Sequence, residues 1–392
     1  MEKEQRKTVR TVAYYVGFIA LGMSFASLGP TLPGLAQNTN SLLREISWLF
    51  FFHSAGYSIS SLFSGRLYDR IPGHPIIAVS LATIAITMAA IPLVKWLWVL
   101  TAVFFIRGLA SGTIDVGGNT LLVWVHGERS GPWLNLLHFS FGVGGLFAPV
   151  IVAQSLVLQG GIGLAYWIIA AFVFPVAIWT LCIASPRIKT AREETELRSS
   201  RVTMVALVTL FFFLHVGVQA SYSGWIYTYA VQKSILQNAR AAYLTSLFWG
   251  AITAGRLAAV PISSRVAPSK ILMGNLTGCL VSAGLLLLFP DDRGVLWVST
   301  FLMGFSLASM FPVSILFADR YMHISGKVMG VFLVGANSGS MVMPWIVGQR
   351  FERSGPGVLS ETALLAIVGA FIVLLFMSFK VSGFKRSTGE QE

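Results

Sequence analysis

The chain has 392 residues, 55% of them hydrophobic and only 11% charged, with a formal net charge of +12 at pH 7. So apolar a composition, spread along the whole length, excludes a water-soluble domain of this size and defines a polytopic membrane protein. The positive excess calls for no nucleic acid partner, because basic residues flanking membrane spans set topology and attract anionic lipid headgroups.

Apolar runs of about 20 residues, the length that crosses a ~30 Å hydrocarbon core, predict twelve helices. They cover residues 11–34, 46–65, 75–94, 97–122, 133–156, 164–184, 203–229, 240–259, 269–289, 294–317, 326–348 and 359–379. Connections are short, so consecutive helices neighbour one another. The longest polar interruption, SPRIKTAREETELRSSR over 185–201, separates six helices from six. The expected fold is therefore all-α, with twelve transmembrane helices in two pseudo-symmetric six-helix bundles. Residues 1–184 form the first bundle, 185–201 a cytoplasmic linker, and 202–392 the second bundle with a short tail.

Placing the N-terminus in the cytoplasm puts twenty of the twenty-eight Lys and Arg residues on that side, Arg256 among them. Both termini are accordingly expected to be cytoplasmic, and the compact loops suit a bacterial inner membrane. The basic start MEKEQRKTVR precedes a run longer than a signal core, so it flanks a first membrane helix rather than a cleaved leader. Cys182 and Cys279 fall one in each half and suggest neither a disulfide nor a metal site.

An internal repeat supports the six-plus-six division. At one offset, Ser130-Gly131 matches Ser325-Gly326, Gly144 matches Gly339, and Pro149 with Ile151 and Val152 matches Pro344 with Ile346 and Val347. Gly65-Arg66 and Gly255-Arg256 end corresponding helices in each half. Two related bundles facing each other leave a central cavity.

Asp115 lies well inside the fourth span, in FFIRGLASGTIDVGGN, eight residues after Arg107. A membrane-embedded ionisable group is costly enough to be a functional candidate. A carboxyl facing a cavity that is alternately wet and closed can bind and release a proton or a sodium ion in step with substrate. Arg107 is about 12 Å away along the helix at ~1.5 Å per residue, on roughly the same face, so the two are expected to communicate through long side chains or water. The competing reading is a static buried ion network.

Asn119, one turn beyond Asp115, either binds substrate hydroxyls or joins helix 4 to a neighbour. Gln219 and Asn337, near the middle of helices 7 and 11, are cavity-lining candidates whose amides offer donors and acceptors. His138 and His215 are candidates for substrate contact or proton relay, and His53 is more a packing residue. Trp225 and Trp249 present aromatic faces suited to a pyranose, against the alternative of packing or interface anchoring. Gly142, Gly144, Gly145 and Gly339 read as close-packing positions.

The stretch Gly65-Arg-Leu-Tyr-Asp69-Arg70-Ile-Pro-Gly73-His74 resembles the G-x-x-x-D-R-x-G-R loop of the major facilitator superfamily, with Pro72 inserted and His74 in place of an Arg. Arg107 with Gly112 resembles that superfamily's second motif. Asp115-Val-Gly-Gly-Asn119, the run Leu134 to Gly142, and His215 through Trp225 are similar to the group of fucose permeases and sodium-dependent glucose transporters. In the last stretch His215 and Gln219 stand where that group's pattern has Tyr and Glu. The resemblance implies a rocking two-bundle carrier in which Gly65, Asp69 and Arg70 form a cytoplasmic gate.

The leading expectation is a secondary active symporter for a small polar solute, a sugar, coupled to a proton or sodium gradient through Asp115. The alternative is an exporter of amphipathic drugs or lipids with the same fold. No nucleophile, phosphate-loop or zinc motif supports an enzyme. No catalytic residue, metal or cofactor is expected beyond the coupling ion. The expected partners are a small-molecule substrate and the lipid bilayer, with the chain a monomer because it supplies both halves of the cavity.

Overall fold

The computed structural model describes residues 2–186, 202–322, 324 and 326–388, so most of the expected linker and the last four residues lie outside the described residues. The chain is a succession of helices: α1 (Glu2–Ala26), α2 (Leu28–Asn38), α3 (Leu43–Ile46), α4 (Trp48–Tyr68), α5 (Gly73–Ala90), α6 (Leu97–His126), α7 (Gly131–Val157) and α8 (Gly161–Cys182). After residue 201 come α9 (Val202–Gln232), α10 (Asn238–Ser263), α11 (Pro268–Leu288), α12 (Arg293–Leu307), α13 (Met310–Asp319), α14 (Gly326–Ser354) and α15 (Val358–Thr388). Two of the expected spans are interrupted for the same reason. Pro30 and Pro312 have no N–H to give the carbonyls of Ala26 and Ala308, so the chain breaks between α1 and α2 and between α12 and α13.

Among the described residues ten helical segments are long and apolar enough to cross a membrane on those criteria alone. Two of the twelve expected spans, α4 and α10, are too polar to qualify. Their 21 and 26 residues nonetheless exceed the ~30 Å hydrocarbon core at ~1.5 Å per residue. Both lie where the two halves meet: α4 packs on α6 and α14, and α10 packs on α12 and α7. The outer surface is apolar, with Leu62, Trp98 and Phe379 exposed at 66%, 74% and 83%. Such a surface suits lipid and not water.

The repeat is visible in the packing. A Cβ on Gly144 of α7 would strike the carbonyl of Ile19 in α1, and one on Gly339 of α14 would strike that of Phe213 in α9. Likewise Gly108 of α6 lies on the His53 carbonyl of α4, and Gly304 of α12 on the Phe248 carbonyl of α10. Each pair brings two helix backbones together at the same place in the two halves, as small residues do in membrane helix packing.

Near its start, α1 gathers the ends of three other helices. Arg10 Nε donates to the Ala184 carbonyl (2.9 Å), the Tyr14 hydroxyl meets His74 Nε2 (2.8 Å), and Thr11 Oγ1 meets His126 Nε2 (2.8 Å). The start of α5 and the ends of α6 and α8 thus share one face with the start of α1, here called the terminal face.

The halves are joined along two seams. On one, Glu352 accepts from the Leu43 N–H (2.9 Å), Gln349 Nε2 donates to the Arg44 carbonyl (2.8 Å), Trp48 meets Trp345 (5.2 Å between centroids), and Ser54 Oγ donates to the Ser340 carbonyl (3.4 Å). On the other, Gln154 Nε2 meets the Tyr243 hydroxyl (2.6 Å), Ser246 Oγ the Leu146 carbonyl (2.5 Å), and Arg256 Nη1 the His138 carbonyl (3.1 Å). Among the described residues the hydrogen bonds and ring contacts of the first seam stop at Ser54–Ser340, about a third of the way along α4 and midway along α14. The halves are therefore closed together on the side opposite the terminal face.

Candidate functional site

Asp115 is held by two neighbours. Its Oδ2 accepts the Tyr57 hydroxyl at 2.5 Å, and Asn119 Nδ2 lies 3.2 Å from Oδ1 and 2.8 Å from the Asp115 carbonyl. Asn119 reaches it because the fourth residue on returns to the same helix face. Tyr57 reaches it because α4 and α6 approach closely at Gly112, whose missing Cβ leaves room for the Tyr57 carbonyl. Asp115, Asn119 and Tyr57 are all half-buried, so the carboxylate is oriented but not sealed.

His138 of α7 stands close by. Its ring lies 6.0 Å edge-on from Phe18 of α1, and the charges of both Asp115 and Arg256 reach it. Protein from both halves surrounds this imidazole, yet it is exposed, as is Asn135 one turn earlier. These side chains therefore line a solvent-accessible crevice between the halves and not a lipid-facing surface. Arg256, counted from sequence among the flanking charges, lies seven residues inside the end of α10 and belongs to this crevice.

Gln219 and Asn337 are half-buried, and among the described residues neither amide has a protein partner. One turn further along each helix, Ser223 and Ser340 line a narrow cavity with Phe25, Phe50, His53 and Ser54. At about 20 Å³ this cavity has room for a water and not for a sugar. Trp249 closes the crevice beside it: its Nε1 donates to Ser223 Oγ (2.9 Å), and its ring meets Phe25 and Phe141 edge-on at 5.9 and 5.7 Å. Trp249 is thus part of the roof, with its indole edge already spent.

Three expected site residues are elsewhere. Arg107 does not meet Asp115; it is fully buried, donates to the Ser24 carbonyl (3.2 Å) near the α1–α2 break, and lies 4.1 Å over the Phe104 ring. Eight residues along a helix amount to a turn of about 80° between the two side chains, so Arg107 faces α1 and α5 while Asp115 faces α4. His215 is buried against Phe211 and Phe212, its Nδ1 on the Phe211 carbonyl (2.8 Å). Trp225 is fully buried near the closed end, donating to the Pro344 carbonyl (2.9 Å) and stacked on Phe351. Both are packing residues in this structure.

The stretch Gly65 to Arg70, the last turn of α4 and the turn after it, lies on the terminal face with Arg70 exposed and Asp69 half-buried. Among the described residues neither of these two side chains has a hydrogen-bonding or ionic partner. Sequence reasoning missed Tyr57 and Arg256. The available signal for Tyr57 was the polarity of its span, HSAGYSISS, which no lipid-facing helix would carry; for Arg256 it was the position of the charge inside the apolar run rather than after it.

Two sets of six spans, meeting at a crevice that holds an embedded acid and closes at one end, define a polytopic membrane protein. The family model described as the Major Facilitator Superfamily matches residues 14–344. The chain belongs to that superfamily, whose fold it shares. It is 33% identical over 377 residues to sodium-dependent glucose transporter 1 of Danio rerio, a match covering 86% of this chain and 64% of that protein. The chain thus spans less than two thirds of that relative's length. The protein of the same name from Xenopus laevis is 32% identical, with 94% and 80% covered. A mutant of the nucleoside transporter NupG has the same fold, with a TM-score of 0.76 at 14% identity over 95% of this chain and 99% of that one. A bacterial homologue of the lysosomal transporter Spinster, in an inward-facing conformation, gives 0.67 at 11% identity over 96% and 95%.

Proposed function

We propose that the chain is a symporter that carries a monosaccharide by alternating access, driven by a sodium or proton gradient through Asp115. The observation that carries this reading is the Asp115 carboxylate, fixed by Tyr57 and Asn119 on the wall of a crevice reachable by solvent. An acid so placed binds a cation from water and loses its charge before the halves close, which lowers the cost of burying it. Carboxylate, phenol and amide oxygens are hard donors that suit sodium. The names of the relatives favour sodium and a hexose over the other choices.

The two six-span bundles, 1–184 and 202–392, are the rocking units, and Asn119, His138, Gln219 and Asn337 meet the hydroxyls of the solute between them. The terminal face is the cytoplasmic one, supported by its share of Lys and Arg, and residence in a bacterial inner membrane is part of the same reading. In the opposite state the crevice opens to the outside, and Asp69 and Arg70 pair across the cytoplasmic end to hold it shut. Their lack of partners among the described residues agrees with a latch made only when the terminal face closes.

Uptake of labelled hexoses into proteoliposomes under imposed sodium or proton gradients tests the reading, with Asp115→Asn in parallel. Accumulation should require one gradient and vanish in the variant, while exchange of labelled for unlabelled solute persists. Accumulation that survives the substitution removes Asp115 from the coupling role; no hexose transport under either gradient moves the reading to an exporter of amphipathic compounds.

A further inference from the structure

Among the described residues Arg256 is a cation without an anion. It sits within the apolar run of α10, on the same helix face as Trp249 two turns away, and its bond to the neutral His138 carbonyl engages only Nη1. Among the described residues no acid pairs with it. The one embedded acid nearby, Asp115, is already engaged by Tyr57 and Asn119. A guanidinium carries five donors in a rigid fork, so most of the fork remains open, on a half-buried side chain beside the exposed ring of His138. An intramembrane arginine that faces a water-filled crevice marks a substrate pathway.

We propose that Arg256 anchors an acidic group on the transported solute, so that the preferred cargo is a sugar acid of the hexuronate type. The inference rests on the symporter reading and narrows its substrate. The fork and a carboxylate match in a bidentate pair that no hydroxyl reproduces, and the His138 carbonyl pins one nitrogen so that the remaining edge is oriented in advance.

Charge bookkeeping links this anchor to coupling. Between them, the Asp115 carboxylate and the Arg256 guanidinium give the empty crevice one negative and one positive charge. Once a cation occupies Asp115 and an anionic solute occupies Arg256, the sum is again zero. With either ligand alone the crevice carries one net charge, and closing it around that charge incurs a desolvation penalty. Only the empty and doubly loaded forms close readily, which makes the exchange of faces obligatorily coupled and electrically silent.

The test uses the full-length protein in proteoliposomes, with glucuronate and galacturonate compared with glucose and galactose as inhibitors of each other's uptake. The wild type is expected to favour the acid over its parent hexose by about tenfold or more. An imposed potential of ~100 mV, enough to bias strongly any step that moves a net charge, should leave the rate of acid uptake unchanged. Arg256→Gln should abolish the preference for the acid, Arg256→Lys should retain part of it, and Arg265→Gln, which removes a cation from the exposed turn after α10, should leave it intact. Hexose transport without any advantage for the acid overturns the anchor and leaves the sugar symporter standing. Parallel loss of acid and hexose binding in both Arg256 variants, with the protein still monodisperse, shows a strut between α7 and α10 and also overturns it. Failure of acids and hexoses alike to be carried by the wild type overturns both readings.

Discussion

A carboxylate inside a membrane protein is useful only when its partners keep it in place without keeping it occupied. Tyr57 and Asn119 do this for Asp115 with one hydroxyl and one amide. A hydrogen bond to a charged group contributes about 1.5–3 kcal/mol, so Tyr57→Phe is expected to lower the initial rate of gradient-driven uptake by about tenfold or more, with exchange less affected. A wild-type rate in that variant would show that the hydroxyl is incidental. The Asp115–Asn119 contact was legible in the sequence because residues four apart share a helix face. The fate of Arg107 was not, since distance along a helix does not say which neighbour each side chain meets. His215 and Trp225 were misplaced for a related reason: a polar or aromatic residue in mid-span reads the same whether it faces the crevice or the bundle interior.

At the scale of the helices, glycines that seat one backbone on another, Gly108, Gly144, Gly304 and Gly339 among them, are demanding positions. The Cβ of Gly144→Val would strike the Ile19 carbonyl, and that of Gly339→Val the Phe213 carbonyl. Overpacking of this kind costs about 1–3 kcal/mol or more, and here the backbone itself must move. Both variants should show lowered thermal midpoints and reduced monodisperse yield by fluorescence-detected size exclusion. Gly17→Ala, which meets nothing within 4 Å, should behave as wild type. Equal stability of all three would show that the matched glycines do not set the helix spacing. Their equivalence was visible in the sequence for Gly144 and Gly339, where flanking residues also repeat. It was hidden for Gly108 and Gly304, whose surroundings have diverged while the backbone contact has stayed.

For the whole molecule, the relevant quantity is the balance between two closures. Gln349 and Glu352 stabilise closure of the end opposite the terminal face, and Asp69 is assigned to closing the terminal face. A small change at either end shifts the population between them. Asn135→Cys, in a background with Cys182 and Cys279 replaced, reports the openness of the terminal face through its reaction with a polar maleimide. Labelling should fall a few-fold when Gln349→Ala and Glu352→Gln are combined, and rise with Asp69→Asn. The reverse pattern would exchange the two assignments. The succession of apolar helices and its internal repeat were readable in the sequence, because they are properties of runs of residues, although α4 and α10 fall short on hydropathy alone. The open face was not, because it depends on which of two similar packings the same seams adopt.

The polarity of α4 and α10 reaches back to how the chain is made. Segments enter the bilayer as they leave the ribosome, and each is judged on its own affinity for lipid before its later neighbours exist. Among the described helices of crossing length, these two fall short on that measure. Within its own bundle each finds its main support in a helix synthesised afterwards, α4 in α6 and α10 in α12, but α10 packs still more on α7 of the first half, which precedes it. α4 must therefore wait, loosely held, until the following pair of spans arrives, whereas α10 meets a partner already in place. The residues that equip α4 to face water in the finished protein delay its settling into oil.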